Sequence, residues 1–460
     1  QTETEATGAP QKHHYTLNQQ VGSITHPGQP VSGGPNDTSV GEISVKTGNN
    51  ARNGGKNSLN RLIRCVCGKK IGPDPRNFNQ RVSLGRNDLL IRTFLSKIEF
   101  YFILFLFVTF LGSLFSSTQY GRGTVLFPIR FFEYFVFFYM GFFLYKGGAN
   151  IRKLLLLLLI ANSAVAILQH FGVVGGFNVR GYQPNMSERV IGLTSGPWEL
   201  GVILNFITCY FLAEEKSEFK KYIIFGVATL IIMMTGSRMS LLAQIVILVW
   251  YMKLSASLVT IIKRCLVVIP LLFAVYFFFG DSTVATRSDS LMNSDNIDQL
   301  LDSYSSVRIT ESVPSWGDLG VLSRGDEVDA SWSMRGIKWI YAVKLYLSHP
   351  MYWMIGVGAG SFGNALDGGW LRITTETGII GLLLFVMFLM RVKRLSPTMS
   401  LCVIAFCINM LMIDIYMSYK VMSMMLLLAG YYHKKRKDEK ARLRENNGSE
   451  ILFHNKREVL

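Results

Sequence analysis

From residue 98 onward the chain alternates apolar runs with short polar joints, whereas the first 95 residues show no hydrophobic periodicity before Leu59. The runs fall at 98–117, 127–146, 153–172, 197–213, 222–236, 239–252, 265–280, 376–390, 399–413 and 418–432. Several approach the roughly 20 residues with which a helix crosses a bilayer, so the pattern predicts about ten transmembrane helices. One long polar stretch, 281–375, interrupts the series and is predicted as a large extracytoplasmic loop. Within it Ile337, Ile340, Tyr341 and Leu345 recur at helical spacing until His349 and Pro350, which predicts an amphipathic helix lying along a membrane surface. The expected fold class is an all-α polytopic membrane protein with surface helices in that loop and a disordered amino-terminal region.

Composition changes the picture at the ends. Residues 1–95 are rich in Gly, Asn, Ser, Thr and Gln and bury too little apolar surface to offset their ordering entropy, so they are expected to be largely disordered and cytoplasmic. The domain plan is then 1–95, a transmembrane domain over 96–435, and a basic cytoplasmic tail over 436–460. The chain begins with Gln, as a processed fragment or an extended chain would.

Charge sets the predicted orientation. There are 47 Lys and Arg against 31 Asp and Glu, a net charge of +16, in a chain that is 49% hydrophobic. Such an excess in a soluble chain suggests nucleic acid, but here much of it flanks apolar runs, where it suits topology and anionic lipid instead. Lys146, Arg152, Lys153, Lys216, Lys220, Lys221, Arg391, Lys393 and Arg394 fall on the same side as the tail, which is taken as the cytoplasm, with both termini there. Cys65 and Cys67 form a lone C-x-C and the other four cysteines lie in apolar runs, so neither metal nor cofactor is expected.

Candidate chemistry lies on the opposite side. Basic residues there are arginines, with no lysine before Lys338, and a guanidinium can grip phosphate oxygens with two parallel hydrogen bonds. Three segments reach that face. The first, 189–201, places Arg189 and Trp198 ahead of a helix whose free N–H groups favour an anion. The second, 235–240, is a tight Thr-Gly-Ser-Arg turn carrying Arg238, which reads equally as a ligand or as an arginine reaching for the interface. The third runs from Ser331 to Gly381, holds Arg335, Asp367, Trp370 and Glu376, and has eight glycines from Gly356 onward.

These pieces, in this order, resemble the O-antigen ligase and O-antigen polymerase superfamily: 189–201, the turn at 235–238, the Arg335…Trp339…His349-Pro350…Gly356-Val357-Gly358-x-Gly360-x-Phe362 series, and Asp367-x-x-x-Leu371…Glu376-x-Gly378-x-x-Gly381. The resemblance covers about residues 98–432. It implies a glycosyltransferase of the bacterial cytoplasmic membrane whose site faces the periplasm, with undecaprenyl-diphosphate-linked glycan as donor, membrane lipid around it, a flippase and a chain-length regulator beside it, and no nucleic acid, nucleotide sugar or metal. Asp367 stands where the ligases commonly carry a histidine, which favours the polymerase branch and polymerisation of repeat units.

On that reading Arg189, Arg238 and Arg335 stabilise the leaving diphosphate, and Asp367 accepts the proton of the acceptor hydroxyl, with Glu199 and Glu376 as substitutes. Arg335 is counted with the catalytic residues as well, and Trp198 and Trp370 with the substrate-binding ones. Asp367 reads equally as a turn residue, and Glu376 as a helix cap. Two other functions stay open: ligase-type transfer to a terminal lipid or protein acceptor, and a transporter or flippase of lipid-linked sugars.

Overall fold

The computed structural model describes residues 37–40, 43–46, 96–120, 125–178, 181–186, 189–253, 304, 307–309, 330–363 and 365–457. The chain divides into two compact units, Gln1–Ser96 and Lys97–Leu460. In the first, β1 (Asp37–Val40) pairs antiparallel with β2 (Ile43–Lys46), Asp37 opposite Lys46 and Val40 opposite Ile43. The rest of 1–95, with Cys65 and Cys67, lies outside the described residues, as do the expected span at 265–280 and most of the loop ahead of Ala330.

The described residues of the second unit form eleven α-helices. They are α1 (Lys97–Tyr120), α2 (Ile129–Lys146), α3 (Ile151–His170), α4 (Pro197–Glu214), α5 (Glu218–Thr235), α6 (Arg238–Lys253), α7 (Ala330–Leu347), α8 (Pro350–Ile355), α9 (Gly369–Lys393), α10 (Pro397–Asn409) and α11 (Tyr419–Arg457). A short hairpin, β3 (Gly176–Asn178) with β4 (Gly181–Gln183), follows α3, and a 3-10 turn, η1 (Ile415–Met417), precedes α11. Local sequence sets the boundaries. Proline occupies the first turn of α4, α8 and α10, where its missing N–H costs nothing. The Asn150 and Ser396 side chains accept the N–H groups of Lys153 and Met399 and so start α3 and α10. Gly236, at φ 63°, closes α5 in the left-handed conformation and turns the chain into Arg238.

Two helix pairs flank a buried centre. Along α2 and α11 the backbones nearly touch, because a Cβ on Gly141 would run into the Leu427 carbonyl and one on Gly430 into that of Phe138. Between α1 and α9, Phe102 and Phe105 meet Phe388 and Phe385. At the centre lies α4, whose residues from Leu200 to Leu212 are all buried, enclosed by α5, α6, α10 and α11. Asn205, Gln244, Asn409 and Ser240 hydrogen-bond to one another inside this core and tie α4, α6 and α10 together.

Helices form at all nine of the apolar runs that the described residues cover, but these do not make the expected series of spans. Among the described residues three helices are long and apolar enough to cross a membrane: Lys97–Thr118 of α1, α3, and α9. At about 1.5 Å per residue, the 16 residues of α6 and 13 of α10 reach about 24 and 20 Å, short of a hydrocarbon core of about 30 Å. Arg130, Glu133 and Lys146 lie in α2, and Glu218, Lys220 and Lys221 in the first turn of α5. The apolarity of α4 is met by protein on all sides. The all-α polytopic class of about ten spans is therefore corrected to a packed helical bundle with three candidate spans. The expected multi-pass placement in a bacterial cytoplasmic membrane, with both termini cytoplasmic and the site facing the periplasm, rests on ten spans and falls with them.

The amphipathic helix predicted around Arg335 is α7, but its apolar face does not lie on a membrane. Ile337, Ile340, Tyr341 and Leu345 are buried in a second core with Tyr352, Val357, Phe362 and Leu366. Its end comes where His349 and Pro350 place it; the His349 Nδ1 accepts the Met351 N–H and caps α8.

Candidate functional site

Three polar segments, with Met412 and Ile413 from the chain after α10, converge on one pocket of about 180 Å³. Polar side chains of α3 hold the first. Gln169 Oε1 accepts the N–H groups of Ile191 and Gly192 at 3.0 and 2.8 Å, and Asn162 Oδ1 that of Leu193. Next to this anchored loop the Val190 N–H donates to the Met234 carbonyl and Arg189 Nε to that of Thr235, which brings Arg189 beside the turn at the end of α5. That turn supplies Gly236, Ser237 and Arg238.

The third segment follows α7. Lys338 Nζ donates to the Ala365 carbonyl at 2.9 Å and Trp339 Nε1 to that of Leu366 at 3.0 Å, so α7 draws the loop under Arg335. There Arg335 Nε meets Asp367 Oδ2 at 3.3 Å, both side chains about one-third exposed. Asp367 is, among the described residues, the single non-glycine residue with positive φ, at 60°. Such a conformation costs an L-residue free energy and persists where its surroundings over-determine it.

The surroundings here are a buried ionic network. Asp414 accepts the N–H groups of Leu366 (2.7 Å), Asp367 (3.3 Å) and Gly368 (3.0 Å). Arg372, with no exposed surface, donates to Asp414 at 2.9 Å, to Glu376 at 3.0 Å and to the Gly363 carbonyl at 2.6 Å. Glu376 in turn accepts the Gly360 N–H and the Tyr416 hydroxyl. Burial, with the Glu376 carboxylate beside it, pushes the Tyr416 phenol well up, so it stays a donor. A break in α9 completes the support: at Gly378 (φ 69°, ψ −179°) the helix is interrupted, and the Thr375 and Glu376 carbonyls accept the N–H groups of Val357 and Gly358.

Five of the predicted site residues therefore line one pocket: Arg189, Arg238, Arg335, Trp198 and Asp367. Three do not. Glu199 accepts the Ser195 N–H at 2.9 Å and the Ser418 hydroxyl at 2.5 Å, closing the start of α4 much as a capping box does. Glu376 is fully buried against Arg372 and Tyr416, where no acceptor hydroxyl reaches it. Trp370 packs on α10, its Nε1 on the Cys407 carbonyl. Sequence reasoning gave no role to Arg372, Asp414 or Tyr416. Two signals pointed to them: the i, i+4 spacing of Arg372 and Glu376, and Asp414 as the single carboxylate between Glu376 and Asp438.

Among the described residues that line it, three guanidinium groups stand against one carboxylate, a balance that suits an anion. Its volume is below the roughly 300–1,000 Å³ of sites that enclose a drug-sized ligand, so it suits the charged head of something larger.

No protein-family model matches the chain, and no curated protein matches it either. The resemblance to the O-antigen ligase and polymerase superfamily is accordingly corrected: neither a family match nor a ten-span fold supports it. Polymerisation of repeat units, ligase-type transfer and sugar-lipid transport were inferred from that membrane architecture and lose their support with it, as do the O-antigen, lipopolysaccharide and polysaccharide-biosynthesis assignments built on it.

Proposed function

We propose that the pocket binds a diphosphate group and that the chain is a group-transfer enzyme with diphosphate as the leaving group, its donor class a glycan linked to polyprenyl diphosphate. The supporting observation is the convergence of Arg189, Arg238 and Arg335, from three separate segments, on one pocket that also holds Asp367. In such a transfer the acceptor hydroxyl oxygen forms a bond to the anomeric carbon as the bond from that carbon to the diphosphate oxygen breaks. The electron pair leaves on the diphosphate, where three fixed guanidinium groups meet the growing charge. The hydroxyl proton passes to the Asp367 carboxylate. Trp198 offers an apolar wall beside the arginines.

Exposed apolar surface supports a lipid-linked donor. Apolar side chains face outward on α1, α2 and α3, among them Phe107, Phe132 and Leu157 at 58 to 63% exposure, and lipid is the partner proposed to cover them. The test is to incubate the purified chain with undecaprenyl-diphosphate-linked glycan and measure released undecaprenyl diphosphate, with the Arg335→Ala protein alongside. Release that disappears in the variant supports the reading. Equal release from both, or none from either, rejects it.

A further inference from the structure

Asp367 poses a difficulty that rests on the reading just given: the carboxylate assigned to the acceptor is already engaged, 3.3 Å from the guanidinium assigned to the donor. Its backbone is fixed from beneath. Three consecutive N–H groups, of Leu366, Asp367 and Gly368, donate to the Asp414 carboxylate, which buried Arg372 holds in turn. The Asp367 side chain, by contrast, is 38% exposed and can rotate about its own bonds. A fixed backbone with a mobile carboxylate is suited to exchange one partner for another.

We propose that Asp414 is a positioning residue for the pocket: it holds the Asp367 carboxylate against Arg335, where that carboxylate occupies the guanidinium until a diphosphate displaces it. Displacement has a chemical consequence. A carboxylate released from Arg335 has its oxygens open to the acceptor hydroxyl, so arrival of the donor would free the group that the acceptor needs. Donor would then bind before acceptor. Asp414 itself, 6% exposed beneath the loop, touches neither.

Calorimetric titration with inorganic diphosphate tests this in the full chain. Asn accepts left-handed backbone well, so Asp367→Asn keeps the loop while removing the internal competitor. It should tighten diphosphate binding about fivefold, the scale of a part-exposed ion pair. Asp414→Asn should tighten binding too, yet add nothing in the Asp367→Asn background, because its effect passes through Asp367. In an Arg335→Gln background the gain from Asp367→Asn should fall to within twofold.

If Asp414→Asn weakens binding equally in both backgrounds, Asp414 is merely structural and the positioning role is wrong. A gain from Asp367→Asn that survives Arg335→Gln in full would mean repulsion at a distance and overturn the occupancy. Asp414→Glu keeps a carboxylate for Arg372 with one methylene more, and carries the same cycle should the Asn form not fold. Absence of diphosphate binding in every form would reject the pocket assignment itself, and this inference with it, whereas binding with an additive cycle rejects this inference alone.

Discussion

Arg372 and Asp414, 42 residues apart, meet at 2.9 Å with the guanidinium wholly buried. The pair joins α9 to the chain just before η1 and, through the N–H groups that Asp414 accepts, to the floor of the arginine pocket. A buried pair gains little over well-packed apolar groups, but losing one partner strands the others. Arg372→Met should therefore destabilise the fold by about 3–5 kcal/mol, since it leaves the Asp414 and Glu376 carboxylates buried without their cation. Chemical denaturation checks this; a loss under about 1 kcal/mol would show that the network is not a support.

Gly378 makes a separable prediction. Its φ of 69° and its closeness to the Met354 carbonyl mean that Gly378→Ala meets both backbone strain and a clash, and pushes α8 away from α9. Gly148, at φ 70° with nothing near a Cβ, meets strain alone. Gly148→Ala should cost about 1 kcal/mol and Gly378→Ala well over 2, compared by thermal unfolding. Equal costs would mean that the two backbones do not touch at Gly378.

The two tryptophans of the predicted site should part company. Both pack against the main core, but Trp198 also lines the pocket, whereas Trp370 Nε1 donates to the Cys407 carbonyl of α10. Trp198→Leu is expected to lower the melting temperature and change diphosphate affinity, and Trp370→Leu to lower the melting temperature with affinity unchanged. Calorimetric titration and melting of the two variants side by side decide it.

Acid should act at the far end of α4. Arg152 holds the Glu215 carboxyl below the usual carboxylate range, through a hydrogen bond of 2.5 Å. A depressed folded-state pKa stabilises at pH above the unfolded value of about 4.3, and that contribution disappears as pH falls through the folded value. Stability between pH 5 and 3 should therefore fall less steeply in Arg152→Ala than in the wild type. Identical slopes would assign the acid sensitivity elsewhere.

Much of the helical layout was legible because apolar runs and polar joints alternate so sharply. Its setting was not, since a helix apolar on every side reads the same whether lipid or protein surrounds it, and α4 is surrounded by protein. The pocket arginines could be found because each stands in a polar interruption of the apolar series, Arg238 in a tight turn and Arg335 in the long stretch 281–375. That Glu199 and Glu376 lie outside the pocket was hidden for a different reason: their partners Ser418 and Tyr416 lie 219 and 40 residues away, and sequence shows a carboxylate without showing what occupies it. Asp414 carried a signal of its own, as a lone acid just past a predicted span, but besides Arg372 its partners are backbone N–H groups that no sequence pattern displays.

The most direct measurement is calorimetric titration of the full chain with inorganic diphosphate at two salt concentrations, repeated for Arg189→Ala, Arg238→Ala and Arg335→Ala. A diphosphate site built from three arginines predicts saturable binding that weakens with salt, and a loss of about tenfold or more for each variant whose fold is intact by melting. Binding indifferent to all three substitutions, or no binding to a folded wild-type chain, would contradict it.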